Sequence, residues 1–530
     1  MASAFDPADF DRSFLPFIDE AFQEHADKVC AVFEGHQLTY AELDAMSART
    51  ANALLRDGFA PGDLGGVYSA NSITAFAVAL GILRAGGVWV PLNPRNTPAA
   101  NVEILSRFGC RALFHQPVFA DAAAEMGEMA ETIGNAILVP TDDAPANSLQ
   151  AWLDDVSPIA PSVERDGRDT LMLPQTGGTT GTPKGVMLSH RNFVAMAWAG
   201  RQRWRGGTRV VLCAAPMTHV GGRAAVISLG TGTRLVILGA PDPASILQAI
   251  EQERVTDVFL PPTAIYSLLD HPDAPATDFS SLRRFSYGSA PMSIPRLRQA
   301  FDMFGPVMVG GFGQTESPIF IAQRETADHF VDGDVNGELL NDAALRSVGR
   351  STVLSTVAIV DDDANPLPAG ARGEIAVKGP MVSEGYYQNP EETAKIRRNG
   401  WHLTGDIGVM DDDGRIYVID RKKDMIITGG YNVYSSEVEQ ALQNIDGIAE
   451  AAVIGVPSDR WGEEVKAVVC LHPGAGLAEA DIIAQTKQAV GSVMAPKSVD
   501  IVGELPRTPI GKIDKKALRA PYWDNADRTI

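Results

Sequence analysis

Ten consecutive residues, Thr176-Gly177-Gly178-Thr179-Thr180-Gly181-Thr182-Pro183-Lys184-Gly185, have the composition of a phosphate cradle. Glycines let backbone N–H groups converge on an anion, threonine hydroxyls add donors and Lys184 adds a cation. Pro183 rather than glycine precedes the lysine, and Gly185 follows it where a metal-binding Ser or Thr would stand, so the loop is not of the Walker A type. Nor does a GxGxxG open a helix with an acid about 20 residues on, as a dinucleotide-binding turn requires. A Gly/Thr-rich surface loop is the plain alternative. Further chemistry-bearing residues lie far away in sequence: Glu316 in Gly311-Phe312-Gly313-Gln314-Thr315-Glu316, Asp406 in Thr404-Gly405-Asp406, Arg421 with Lys423, and Lys512 in a Pro/Gly-bearing loop.

The elements that must position these residues read as alternating helix and strand. Thr39 with Glu42 forms a capping box that opens a helix carrying Leu43, Met46, Leu54 and Leu55 on one face, with Gly58 past its end. Residues 74–83 predict a buried helix, Gly86-Gly87 its stop and Val88–Leu92 a strand. Short β-rich runs at 209–214, 233–238 and Asp257–Leu260 alternate with helical stretches such as Pro243–Gln252. From about 347 to 420 the texture changes to short strands broken by Asp361-Asp362-Asp363 and Asp412-Asp413-Gly414, which predicts a β-rich unit of hairpins. After Arg421 a Ser436-to-Glu439 capping box, strands at 451–456 and 465–471, and a helix over 478–490 predict a separate small α+β domain. The fold class expected is α/β, a large N-terminal domain of α/β sheets plus a β-rich subdomain over 1–422, with a small mobile α+β domain over 423–530.

Composition narrows the function. The 530 residues carry 45 Lys plus Arg against 66 Asp plus Glu, a net charge of −21. That excludes the basic footprint of a nucleic-acid or anionic-lipid binder and requires any anionic substrate to be held by a local site. Cys30, Cys110, Cys213 and Cys470 form no CxxC pair or Cys/His cluster, so neither a disulfide framework nor a zinc site is expected. The acidic N-terminus shows no signal peptide, and the longest apolar stretch, 74–92, is broken by Arg84, Gly86 and Gly87. The expectation is a cytoplasmic protein without a membrane span.

The loop TGGTTGTPKG resembles the signature of the adenylate-forming (ANL) superfamily, which includes acyl-CoA synthetases, nonribosomal peptide adenylation domains and firefly-type luciferases. Segments similar to the family's other motifs follow in its order: Leu38-Thr39-Tyr40 with Glu42-Leu43, GVWVPLNP from Gly87, GFGQTE from Gly311, Thr404-Gly405-Asp406, DRKKDMIITGGYN from Asp420 and PRTPIGK from Pro506. One departure is Gly177, where most members carry serine, which removes a hydroxyl donor.

The resemblance implies a two-step reaction in which a carboxylate attacks the α-phosphate of ATP to give acyl-AMP, and a thiol, usually CoA, displaces AMP. Thr176, Gly177, Gly178, Thr179, Thr180, Gly181 and Lys184 would hold phosphates. Ser289, Ala290, Pro291, Gly311, Phe312, Gly313 and Thr315 would line the nucleotide, with Phe312 stacking on adenine. Asp406 would accept the ribose hydroxyls with Arg421 beside it. Glu316 would hold Mg²⁺. Lys512 would align carboxylate and α-phosphate, as adenylation joins two anions and needs charge neutralised. His219 would lie near the substrate carboxylate, and Gly310 with Gly311 would leave space for an aryl or longer acyl group. Lys423 would be the hinge on which the small domain turns, and Gly429, Gly430 and Trp461 would meet CoA. A core histidine and an interdomain packing residue are the alternatives for His219 and Trp461. Expected partners are a small carboxylic acid, ATP and CoA, with a homodimer left open. The leading expectation is an AMP-forming carboxylate:CoA ligase. An adenylation enzyme serving a carrier-protein thiol and a luciferase-like oxygenase share the motifs, although residues 216–223 offer no acid to pair an amino group.

Overall fold

The computed structural model describes residues 7–129, 135–138, 149–176, 183–204, 206–508 and 513–523. Gly177, Gly178, Thr179, Thr180, Gly181 and Lys512 therefore lie outside the described residues. By backbone contacts the chain divides into two compact units, one of residues 1–357 with 377–402, the other of 358–376 with 403–530.

The first unit is built on two sheets. In the larger, the strands lie in the order Arg350–Ser351, Ser317–Arg324, Met308–Gln314, Arg284–Tyr287, Asp257–Leu260, Val210–Cys213, Arg234–Ile237, Val29–Phe33 and His36–Thr39. Its central pairs, from Met308–Gln314 across to Val29–Phe33, are parallel, and the flanking pairs antiparallel. The smaller runs Leu188–Ser189, Thr170–Met172, Val88–Leu92, Leu64–Tyr68, Ala112–His115 and Asn135–Leu138. Parallel strands are buried on both faces and need helical crossovers, which is why Val88–Leu92 reads as a continuous apolar run and is buried throughout. Helix Ile73–Arg84 is likewise buried at every residue but Thr74. It starts at Ser72, whose hydroxyl accepts from the Ala75 N–H. Helix Tyr40–Arg56 begins with the Thr39–Glu42 capping box. An aromatic-rich core containing Phe14, Phe22, Tyr40, Phe76 and Phe193 holds these layers together.

The second unit has its own core of Ile426, Val438, Leu442, Val453, Val465 and Ile482. The long hairpin of Ile448–Ser458 and Gly462–Leu471 is joined by Ile426–Thr428, Tyr431–Val433 and, in parallel, Ser498–Ile501. Helices Ser435–Gln443 and Glu479–Met494 belong to the same unit. In this unit Ile416–Arg421 pairs antiparallel with residues 406–410, placing Asp406 opposite Arg421. The acidic triplets are turns: the Gly414 N–H donates to the Asp411 carbonyl, and Asp361 Oδ1 accepts from the Asp363 and Asn365 N–H groups.

One expected local signal is not used. Helix Ser435–Gln443 has no side-chain cap from its own sequence. Asp420 supplies it from the preceding strand, its Oδ2 accepting from Ser435 Oγ at 2.8 Å and from the Ser436 N–H at 3.1 Å. Glu439 instead accepts from the Val453 N–H and pairs with Lys515. A buried strand carboxylate outcompeted the local box because it satisfies two donors at once.

Candidate active site

The strand that leaves the phosphate-loop segment, Lys184–Gly185, sets the geometry of the first unit's site. The chain at 384–387 runs antiparallel beside it: the Met187 N–H donates to the Gly385 carbonyl, the Tyr387 N–H to the Gly185 carbonyl, and Val186 bridges Tyr386. This pairing brings Tyr386 next to two expected site residues. Its hydroxyl donates to Glu316 Oε1 at 2.8 Å, and the Lys184 ammonium stands 5.3 Å from the centre of its ring. Burial, and then the Glu316 charge, push the Tyr386 phenol well above its ordinary pKa, so it stays a proton donor to the carboxylate. Lys184 forms an ion pair with Glu392, from the short helix Pro390–Lys395. Lys184 and Lys395 together hold Glu392 below the usual carboxylate range.

Glu316 is buried and its carbonyl accepts from the Ser383 N–H. Among the described residues its Oε2 accepts no hydrogen bond, and the buried hydroxyls of the adjacent Ser317 and of Ser383 have no partner. No cluster of three or more His, Cys, Asp or Glu side chains forms a metal cage among the described residues. One open carboxylate oxygen with unpaired hydroxyls nearby suits Mg²⁺, which keeps several waters and takes one or two carboxylates plus substrate phosphates. Arg223 and Arg397 lie within electrostatic reach of Glu316. Arg397 also donates to the Ser383 carbonyl and contacts His402, whose other nitrogen meets Gln314 at 2.7 Å.

His219 is partly buried at the start of helix Val220–Ser228, with Thr218 Oγ1 3.1 Å from its Nδ1. Burial and the charge of Arg223 lower its pKa, which keeps the ring neutral and able to donate or accept a hydrogen bond. Ser289, Ala290 and Pro291 are exposed just beyond strand Arg284–Tyr287, and Ser289 holds a left-handed φ of 69°. Such strain in a non-glycine residue clusters at ligand sites. Gly311, Phe312 and Gly313 lie on Met308–Gln314, with Thr315 just beyond it.

Gly310 does not open free room. A Cβ there would sit 2.8 Å from the Tyr287 hydroxyl, so the missing side chain accommodates that ring and not an acyl group.

In the second unit Asp406 is buried and its Oδ1 pairs with Arg421 Nε at 2.6 Å. The Gly405 N–H donates to Glu374, and Thr404 Oγ1 donates to the Ile375 carbonyl, which fixes the turn that carries Asp406. Lys423 is exposed in the short turn Lys422–Asp424. Gly429 and Gly430 both take positive φ, and the Gly429 N–H donates to the Trp461 carbonyl. A Cβ on Gly429 would meet the Trp461 ring at 2.8 Å, so the indole packs against that glycine and leaves no room for a side chain.

Residues 18–387 match the AMP-binding enzyme family and residues 437–512 the AMP-binding enzyme C-terminal domain. The chain belongs to this family of AMP-binding enzymes. It is 33% identical over 529 residues to the medium/long-chain-fatty-acid–CoA ligase FadD8 of Mycobacterium tuberculosis, covering 96% of this chain and 90% of that one. Feruloyl-CoA synthase of an Amycolatopsis species is 36% identical over 502 residues, covering 92% and 94%. The crystal structure of ATP-bound MatB from Rhodopseudomonas palustris superposes with a TM-score of 0.86 at 29% identity, over 96% of this chain and 99% of that one. The family and its relatives establish ATP-dependent activation of a carboxylic acid to acyl-AMP and its transfer to CoA, so the carrier-protein and luciferase-like alternatives are not favoured.

Sequence reasoning missed Tyr386, Glu392, Arg397 and Arg223. None carries a spacing signal. The segment Gly385-Tyr386-Tyr387-Gln388-Asn389-Pro390, an aromatic pair between a glycine and a helix-starting proline, was the only visible cue, and it reads equally as a turn.

Proposed function

We propose that this ligase makes the CoA thioester of a fatty or aryl carboxylic acid. FadD8 is named for medium- and long-chain fatty acids and feruloyl-CoA synthase for an aryl acid, which supports an apolar acyl class. The observation that carries the site assignment is the bond between Tyr386 and the buried Glu316, which joins the carboxylate to the end of the phosphate loop.

In this reading Thr176 to Gly181 and Lys184 hold the phosphates of ATP, and the nucleotide lies along Ser289, Ala290, Pro291 and Gly311 to Thr315, with Phe312 against adenine. Asp406 and Arg421 hold the ribose. Glu316 is the residue that would hold Mg²⁺, and the ion would supply charge neutralisation on the phosphates. His219 positions the acid. Its carboxylate oxygen forms a bond to the α-phosphorus as the bond to pyrophosphate breaks, and Lys512 aligns the two anions. The CoA thiol, giving up its proton, then attacks the acyl carbon, and AMP leaves. For that second step the small domain turns at Lys423, and Gly429, Gly430 and Trp461 meet the pantetheine arm. The reading includes a cytoplasmic setting, supported by four free, buried cysteines.

The test is product analysis by mass spectrometry with Mg-ATP, CoA and pooled fatty and aryl acids, on the native chain and on Lys512→Ala. A thioester plus AMP from the native protein, with adenylation lost in the variant, is the expected result. AMP without thioester would reject CoA as acceptor, and adenylation at the native rate by Lys512→Ala would remove that lysine from the first step.

A further inference from the structure

Arg223 is a buried cation that the assignments above leave without a task. It lies on helix Val220–Ser228 with 9% of its surface exposed, and its Nε has no hydrogen-bond partner among the described residues. Helix placement is tightly set, because a Cβ on Gly222 would strike the Trp89 ring at 2.4 Å and the Met217 carbonyl at 2.1 Å. The guanidinium is within electrostatic reach of both His219 and Glu316. It forms no ion pair within 4 Å with either Glu316 or another acid among the described residues. Arg95 adds a second positive charge toward His219.

Taking a guanidinium out of water without an acceptor costs several kcal/mol, and proteins retain such groups where a bound anion supplies the missing partner. The charge persists at neutral pH, since burial lowers the Arg223 pKa only to about 10. In a chain of net charge −21, a dry positive spot beside His219 is the local device that an anionic substrate requires. The planar fork of arginine suits two carboxylate oxygens.

We propose that Arg223 binds carboxylate oxygens of the acid substrate. This rests on the reading of His219 as the acid's neighbour. Two sources share the chemistry: the reacting carboxylate, or a second carboxylate at the far end of a dicarboxylic acid.

The experiment compares native protein with Arg223→Met and Arg223→Lys, using octanoate, 4-hydroxycinnamate and octanedioate. Native turnover to AMP and thioester is measured first. Acid binding is read independently of turnover, by calorimetry in the presence of a non-hydrolysable ATP analogue. Losing a charge-assisted hydrogen bond should weaken the acid's KM and Kd about 10- to 100-fold. The KM for ATP and the magnesium dependence should stay put, and Arg223→Lys should recover part of the loss. Since removal of an uncompensated buried charge does not destabilise the free protein, Arg223→Met should melt no lower than native.

A loss with every acid assigns Arg223 to the reacting carboxylate, and a loss confined to octanedioate assigns it to a second one. Unchanged acid binding overturns the proposal. So does a variant that melts lower and loses ATP and magnesium response, which would make Arg223 a counter-ion of Glu316. Acid binding without any turnover would instead overturn the ligase reading and keep the carboxylate site.

Discussion

Tyr386 joins two candidate site residues, Glu316 and Lys184, that stand far apart in the sequence. Its hydroxyl reaches Glu316 across 70 positions of sequence, and its ring lies near the Lys184 ammonium. Replacement by phenylalanine keeps the ring and removes only the donor, leaving Glu316 buried with one bond fewer. A hydrogen bond to a charged group is worth about 1.5–3 kcal/mol, so Tyr386→Phe should slow ATP–pyrophosphate exchange at least about tenfold. The magnesium concentration for half-maximal exchange should rise at the same time. Exchange at the native rate in this variant would remove the phenol from the mechanism. The loop, Glu316, Asp406 and Arg421 could be named as candidates from sequence because each sits in a motif of fixed order. Tyr386 and Arg223 were not, because their significance lies in a partner, or the lack of one, that only the folded chain reveals.

Elements whose signals are local came through the sequence with their ends intact. Helix Pro243–Gln252 opens with Asp242 at its N-cap and a proline in its first turn, and strands Val88–Leu92 and Asp257–Leu260 are short apolar runs bounded by breakers. Helix Ser435–Gln443 is the counter-example, since its N-terminus is closed by Asp420 from the strand Ile416–Arg421. Ser436 and Glu439 have the spacing of a local box whether or not their side chains meet, and here Glu439 turns to the Val453 N–H instead. Removal of the borrowed cap by Asp420→Ala leaves Ser435 and the Ser436 N–H without their acceptor and should cost about 1–3 kcal/mol. Hydrogen exchange across 435–443 should accelerate and the denaturation midpoint fall. Native protection of those amides in the variant would show that the helix is held by its packing alone. The Arg421 that faces Asp406 follows Asp420 directly, so the strand that closes this helix also carries a candidate ribose residue.

Across the whole molecule, the buried histidines all lie in the first compact unit. Burial lowers the pKa of all five buried histidines there, His25, His115, His190, His329 and His402, and three of them are shifted far. His190 is lowered to about 4 by burial and the Arg165 charge, and its Nδ1 accepts from the Phe14 N–H. His329, against the Tyr287 hydroxyl, is lowered to about 3 by burial and then Arg324. His402, between Gln314 and Arg397, is lowered to about 3 by burial and then Arg397. An unfolded chain protonates histidine near its ordinary value of about 6.5, so below that pH it takes up protons that these native rings refuse. Stability therefore rises with pH through this window and is lost as pH falls from about 6.5 toward 4. Each ring can add a slope of up to about 1.4 kcal/mol per pH unit. Asp19 opposes in part, because burial raises its pKa and native protein takes up a proton there first. Urea denaturation of the full chain should give a midpoint that is flat above pH 7 and clearly lower at pH 5. An equal midpoint at both would mean that the native rings accept protons and that their pockets open to water. The contact with Gln314 ties this behaviour to the site, because Gln314 lies between Phe312 and Glu316 in the chain. Adenylation should then fail in acid before the second unit loses its own fold, which is read by following exchange activity and hydrogen exchange at 448–471 in the same titration.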